Sequence, residues 1–265
     1  MLKEFFDGEG IRCYGELPVS ALSLWDEKKF QRMEETIGKV ESAVIFLIPY
    51  FAGQKTTNLS VYAQPRDYHL YLRQLSLRFA AYLEKRAPHV RFCGFTDSSP
   101  IREREAALAA GLGMQGENGV VLNERYGSWF FIGEFFLTEA VSPQKPVKAV
   151  SCPKCGACLK ACPTGAVTDP QRTRCLSLIT QKKELTPEEE ALLSAATCKW
   201  GCDLCQSSCP YNANAEETPI SFFREGHVRE LTQEAALAPK GEFLTRAFSW
   251  RGRKVLLRNI EKKQD

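Results

Sequence analysis

The stretch SCPKCGACLKACPTG, residues 151–165, places four cysteines within eleven residues and follows the last with a proline. The chain has eleven cysteines among 265 residues; nine lie between Cys152 and Cys209, while Cys13 and Cys93 stand apart. A disulfide framework spreads its bridges through a small secreted fold, so this crowding points to metal ligation. The first half reads C-x2-C-x2-C-x3-C-P, from Cys152, Cys155, Cys158, Cys162 and Pro163; the second reads C-x3-C-x2-C-x3-C-P, from Cys198, Cys202, Cys205, Cys209 and Pro210. Thiolates spaced two residues apart wrap three corners of an iron-sulfur cube, and the cysteine before the proline is carried to a second cube. The halves therefore exchange their last cysteines. Cys152, Cys155, Cys158 and Cys209 make one set; Cys162, Cys202 and Cys205 make the other and need a fourth member. Spacing leaves Cys175 and Cys198 as alternatives and slightly favours Cys198. Zinc is the rival metal, since C-x2-C pairs suit a tetrahedral ion, but a zinc ribbon has no use for a C-P partner.

The rest of the composition is that of an ordinary globular protein. Hydrophobic residues are 44%, charged residues 25%, and the formal net charge is +3, which gives no reason to expect bulk polyanion binding. The amino terminus lacks an uninterrupted apolar signal segment, and no apolar run approaches the roughly 18 residues of a membrane span. These features lead us to expect a cytoplasmic protein with no membrane partner, in a reducing compartment where dense thiols serve as metal ligands.

The expected fold class is α+β. Residues 1–145 read as an α/β domain, 146–215 as a bacterial-ferredoxin-like module with two 4Fe-4S clusters, and 216–265 as a helical C-terminal extension, with a Pro-containing linker at 142–146. SAVIFLIPY (42–50), VRFCGF (90–95), GVVLN (119–123) and SWFFIGEFFL (128–137) read as strands. From Tyr68, the apolar positions Leu72, Leu75, Phe79 and Leu83 recur at helical spacing. Ser99 and Pro100 look like the cap and first turn of a helix over 101–111 that Gly111 ends. Thr186 and Pro187 start another before three glutamates. Asp97 closes a strand just ahead of a helix, where open α/β sheets bind ligands. A helix amino terminus would lower its pKa, whereas burial would raise it.

Taken together, FTDSSPIREREAALAAGLGMQGENG, YGSWFFIGEFF, CPKCGACLKACPTGAV, RCLSLIT, GCDLCQSSCPYN and the early YAQPRDYHLYLRQL (62–75) resemble the epoxyqueuosine reductases over about residues 40–260. That family reduces the epoxide of epoxyqueuosine in tRNA to queuosine, using cobalamin and two 4Fe-4S clusters. The resemblance implies that Cys175 completes the second cluster and Cys198 is spare. It also implies that Asp97 is the catalytic proton donor, with electrons passing through the clusters to make cob(I)alamin. Tyr68, His69, Ser128 and Gly133 are the expected cofactor-pocket residues, Gly127 and Gly133 by letting backbone approach the ring. The expected partners are tRNA and a low-potential electron donor such as flavodoxin or ferredoxin.

Two features depart from that pattern. Glu117 stands where the family has a lysine, and the family's C-terminal helical-repeat domain is not in this sequence. The basic run from Arg246 to Lys263 offers candidate phosphate contacts, with a solvated amphipathic helix as the alternative. The competing functions are a cobalamin-dependent reductase for another small substrate and an electron carrier serving a separate corrinoid protein.

Overall fold

Every residue of the strand Ser42–Pro49 is buried, because helices cover both faces of the sheet it centres. The structure is a computed structural model that describes residues 2–141 and 151–261; the linker expected over 142–146 lies outside them. The first part runs α1 (Leu2–Gly8), β1 (Tyr14–Pro18), α2 (Glu27–Ile37), β2 (Ser42–Pro49), α3 (Tyr68–Arg86), β3 (Phe92–Phe95) and α4 (Glu103–Ala109). A short hairpin of β4 (Met114–Gln115) and β5 (Val121–Leu122) precedes β6 (Phe130–Leu137). The sheet order is β1-β2-β6-β3, with every pair antiparallel. Alternate residues of β2 serve opposite layers. Val44, Phe46 and Ile48 pack towards α1 and α3, and Ala43, Ile45 and Leu47 towards α2 and α4.

The antiparallel order removes the switch-point argument for Asp97, which belongs to parallel sheets. The helix expected over 101–111 also starts later. Arg102 is its N-cap with no side-chain hydrogen bond, because Ser99 turns inward to the buried Glu134. Gly111 does end it in a left-handed conformation, φ 70°. Of the strand expected over 119–123, only β5 forms.

Gly133 of β6 sits opposite Phe46 of β2. A Cβ there would lie 2.3 Å from the Phe46 ring, which is fully buried and packed on Phe6 and Phe135. Gly133→Ala will therefore cost about 1–3 kcal/mol by overpacking, read as a lower urea midpoint at unchanged m-value.

The cysteine-rich part supplies α5 (Ala157–Ala161), α6 (Leu176–Ile179), α7 (Pro187–Ser194), α8 (Leu204–Ser207) and α9 (Pro210–Ala213). Thr186 caps α7 in a reciprocal pair with Glu189, and Pro187 occupies its first turn. Asp203, almost fully buried, accepts from Ser60 Oγ (2.5 Å) and Val61 N–H (2.7 Å), which ties this part to the segment ahead of α3. The final segment forms α10 (Gln233–Leu237), α11 (Lys240–Phe243) and α12 (Arg253–Glu261). Its Phe222, Phe223, Phe248 and Leu256 join Trp200 in the same apolar cluster as α1 and α3. Among the described residues no helix is long and apolar enough to cross a membrane.

Candidate active site

A cavity of about 690 Å³ opens where the start of β6, the start of α3 and the cysteine-rich part meet. Phe130, Phe131 and Ile132 give it an apolar wall, and Tyr68, His69, Asp97 and Ser128 line it as well. Tyr68 stacks on Phe131 with ring centroids 3.8 Å apart and planes at 16°, and its hydroxyl donates to Asp97 Oδ2. The ring is thus core while its polar tip works in the cavity. His69 is half exposed, with Nδ1 2.8 Å from Asp67 Oδ1. Asp97 itself has φ 60°, a conformation uncommon outside glycine and most tolerated by Asn and Asp. It is accessible from the cavity, yet protein crowds its carboxylate. Lost hydration first, and the charge of Asp67 second, raise its pKa from 3.8 to about 6. Burial therefore outweighs any helix-terminus effect, and α4 begins six residues later.

Two further carboxyl groups stand behind Asp97. Glu103 accepts the Asp97 backbone N–H; burial, then the Asp97 charge, lifts its pKa to about 7. Glu134, fully buried on β6, accepts from Ser99 Oγ, and burial lifts it to about 8. Each has one enclosed oxygen without a hydrogen-bond partner. On the outer side, Trp25 Nε1 donates to the Ser99 carbonyl at 2.7 Å and Lys29 Nζ to that of Ser98. The loop carrying Asp97 is thus fastened from both sides. An acid inside an apolar strand must be neutralised or hydrogen-bonded, so Glu134 was readable in SWFFIGEFFL, although its partner Ser99 was not.

Across the cavity, Gln206 also lines the wall, and its neighbour Cys205 faces a second, apolar cavity with Cys162, Cys175 and Cys202. Burial first, and then these three thiols, push Cys205 up to about 12. Cys198 does not line this cavity; it is buried with Leu176, Ile179 and Leu193 and hydrogen-bonds Cys202. The other set also gathers: Cys158 feels Cys152, and Cys209 feels both Cys152 and Cys155. Among the described residues, no three His, Cys, Asp or Glu side chains converge closely enough for a single ion. Four thiols spread around one cavity fit a polynuclear cluster in donor chemistry and arrangement. Ser128 ties the start of β6 to the cysteine-rich part: its N–H donates to Asn212 Oδ1 (2.7 Å) and its Oγ donates to Gln206 Oε1 (2.9 Å).

Residues 151–212 match a family model for a 4Fe-4S double cluster binding domain, and residues 31–98 match the one described as epoxyqueuosine reductase QueG, DUF1730. An epoxyqueuosine reductase of Escherichia coli (strain K12) is 37% identical over 168 residues, covering 62% of this chain and 44% of the relative. That of Francisella cf. novicida (strain Fx1) is 35% identical over 173 residues, 63% and 48% of the two chains. The chain is similar to the epoxyqueuosine reductases in both of these stretches. It spans about half the length of these relatives. The epoxyqueuosine reductase of Streptococcus thermophilus shares the fold at a TM-score of 0.77, with 24% identity over 98% of this chain and 78% of that one. An epoxyqueuosine reductase solved with an epoxyqueuosine-modified tRNA stem loop gives 0.76 at 23% identity and the same coverage. A reductive dehalogenase described as B12-dependent shares the fold more distantly, at 0.51 and 15% identity, over 99% of this chain and 37% of that one.

Against the epoxyqueuosine reductase pattern, two expectations, those for Gly133 and Gly127, need correction. Gly133 does not line the cavity, because the Phe46 ring fills the space it leaves. Gly127, with φ 57°, makes room for Asn212, whose Oδ1 would sit 1.9 Å from an added Cβ. Glu117 does not line the cavity either; it lies beside Cys158, with one carboxylate oxygen enclosed and unpartnered.

Proposed function

We propose that this chain is a cobalamin-dependent iron-sulfur reductase that converts epoxyqueuosine in tRNA to queuosine. The observation that carries the reading is that Asp97 and Gln206 line one cavity while Cys205, next to Gln206, faces the adjoining thiol cavity. A proton source and an electron source thus converge on one space. In this reading Cys152, Cys155, Cys158 and Cys209 hold one 4Fe-4S cluster, and Cys162, Cys175, Cys202 and Cys205 the other. Tyr68, His69 and Ser128 line the corrinoid pocket. The first set takes electrons from a flavodoxin or ferredoxin, consistent with the exposure of Cys155. The domain divisions near 145 and 215 and a cytoplasmic location belong to the same proposal.

When bound, cobalamin and the clusters supply two low-potential electrons. Reducing an epoxide to an alkene also consumes two protons and releases water, so this chain must place an acid at the departing oxygen. Asp97 gives the first proton, and the second is taken up from solvent as the oxygen leaves as water. Tyr68 fixes Oδ2 and leaves Oδ1 to carry it, Phe130 and Phe131 exclude water, and Glu103 and Glu134 hold the loop in place.

Oxygen-free assembly with iron, sulfide and cobalamin is expected to give about eight irons per chain, retained cobalamin, and loss of one oxygen atom from epoxyqueuosine in RNA under strong reductant. Failure to retain cobalamin sinks the proposal. Retention without conversion sinks the substrate and leaves a reductase for a small molecule.

A further inference from the structure

Three of the five described basic residues of the C-terminal run are engaged inside the fold. Arg246 donates to the Gly226 carbonyl and pairs with Glu242 at 3.6 Å. Arg253 donates to the carbonyls of Ala236 (2.6 Å) and Ala238 (2.7 Å). Arg258 donates to those of Lys183 (2.9 Å) and the Asn259 side chain (2.8 Å). Lys262 and Lys263 lie outside the described residues.

Arg251 differs. Its guanidinium lies 3.9 Å from the centroid of the Trp250 ring, its Nε is enclosed with no acceptor, and among the described residues it forms no ion pair. Trp250 in turn lines the mouth of the cavity that holds Asp97, although 60% of its surface is exposed. It stands at 82° to the fully buried Trp200, with centroids 6.5 Å apart, so a rigid ring supports it. A large indole held out at a cavity rim, with an unpaired cation against it, offers a π-face and a positive charge side by side.

We infer that Trp250 and Arg251 form a nucleotide subsite at the cavity mouth, where the indole stacks on a base next to the reacting nucleoside and Arg251 takes the adjoining phosphate. This rests on the RNA reading above. A nucleoside drawn from a loop into a cavity loses its stacking neighbours, and an aromatic platform at the entrance replaces that stacking for the base left outside. The high exposure of Trp250 favours a ligand that arrives from solvent. A corrinoid's own nucleotide tail carries the same chemistry, base plus phosphate, and the test separates the two sources.

The probe is a fluorescently labelled tRNA stem-loop carrying epoxyqueuosine, titrated by anisotropy into the holoprotein across about 50 to 200 mM salt. Trp250→Ala is expected to weaken binding about ten- to a hundred-fold, with Trp250→Phe restoring most of it. Arg251→Gln is expected to lower the salt slope by about one. Cobalamin and cobinamide are titrated in parallel, the latter lacking the nucleotide tail, and thermal melting confirms that each variant is folded. RNA affinity unchanged in folded Trp250→Ala overturns the subsite. So does a loss confined to cobalamin, with cobinamide and RNA unaffected. If the wild-type holoprotein binds no stem-loop at all, the RNA reading itself fails, a result distinct from either.

Discussion

Asp97→Asn is expected to keep both clusters and bound cobalamin while cutting turnover about 10²- to 10⁴-fold, the usual contribution of a positioned general acid. The substitution isolates the proton. Asn is nearly isosteric, tolerates the left-handed backbone at φ 60°, and its amide oxygen can still accept from the Tyr68 hydroxyl. What it cannot do is carry a proton to a departing oxygen. The wild-type pH profile should show the same group. Burial raises the Asp97 pKa from 3.8 to about 6, so its protonated form is complete below that value and is lost as pH rises through it. Single-turnover conversion should therefore fall through about pH 6 in the wild type and lose that inflection in Asp97→Asn. Absorption and EPR spectra taken alongside report the cofactors, and unchanged turnover in the variant removes Asp97 from the chemistry.

The difference between what could and could not be read from the sequence is physical. That Cys162, Cys202 and Cys205 share one cavity was legible in local spacing, where two residues between cysteines place successive thiols around one centre and C-P marks the one that leaves; the choice between Cys175 and Cys198 was not. The run 42–50 was legible as a strand but silent on direction. A strand covered on both faces shows the same continuous apolar pattern whether its neighbours run parallel or antiparallel, and here they run antiparallel. The glycines misled for a related reason. A glycine in a strand or turn says that something approaches closely without saying what; at Gly133 it is the Phe46 ring and at Gly127 the Asn212 amide. Ser99 and Pro100 matched a helix-start pattern, yet the partner that claims Ser99 is Glu134, 35 residues away in sequence. The basic tail left phosphate contacts and a solvated helix as alternatives, and only the fold reveals that backbone carbonyls already occupy Arg253 and Arg258.

Cys175→Ser is expected to lower iron and acid-labile sulfide to about half of the wild-type content, the loss of one cube of two, whereas Cys198→Ala keeps the full content. The two cysteines are rivals by spacing alone, and their surroundings separate them. Cys175 faces the cavity shared with Cys162, Cys202 and Cys205; Cys198 is buried among Leu176, Ile179 and Leu193, where a small hydrophobe packs. Cys198→Ala should therefore show as a modest loss of thermal stability without a change in the reduced EPR signal. The reverse pattern, with iron halved in Cys198→Ala and intact in Cys175→Ser, would make the ferredoxin-like spacing the better guide. A third variant tests the crossing itself. Cys162 follows Cys158 by one turn in sequence but faces the other cavity, so Cys162→Ser should remove the same EPR signal as Cys175→Ser and leave the one that depends on Cys152, Cys155, Cys158 and Cys209. If instead it removes that second signal, the halves do not exchange their last cysteines, and electrons reaching Cys205 would have to come from a cluster built on one sequence half alone.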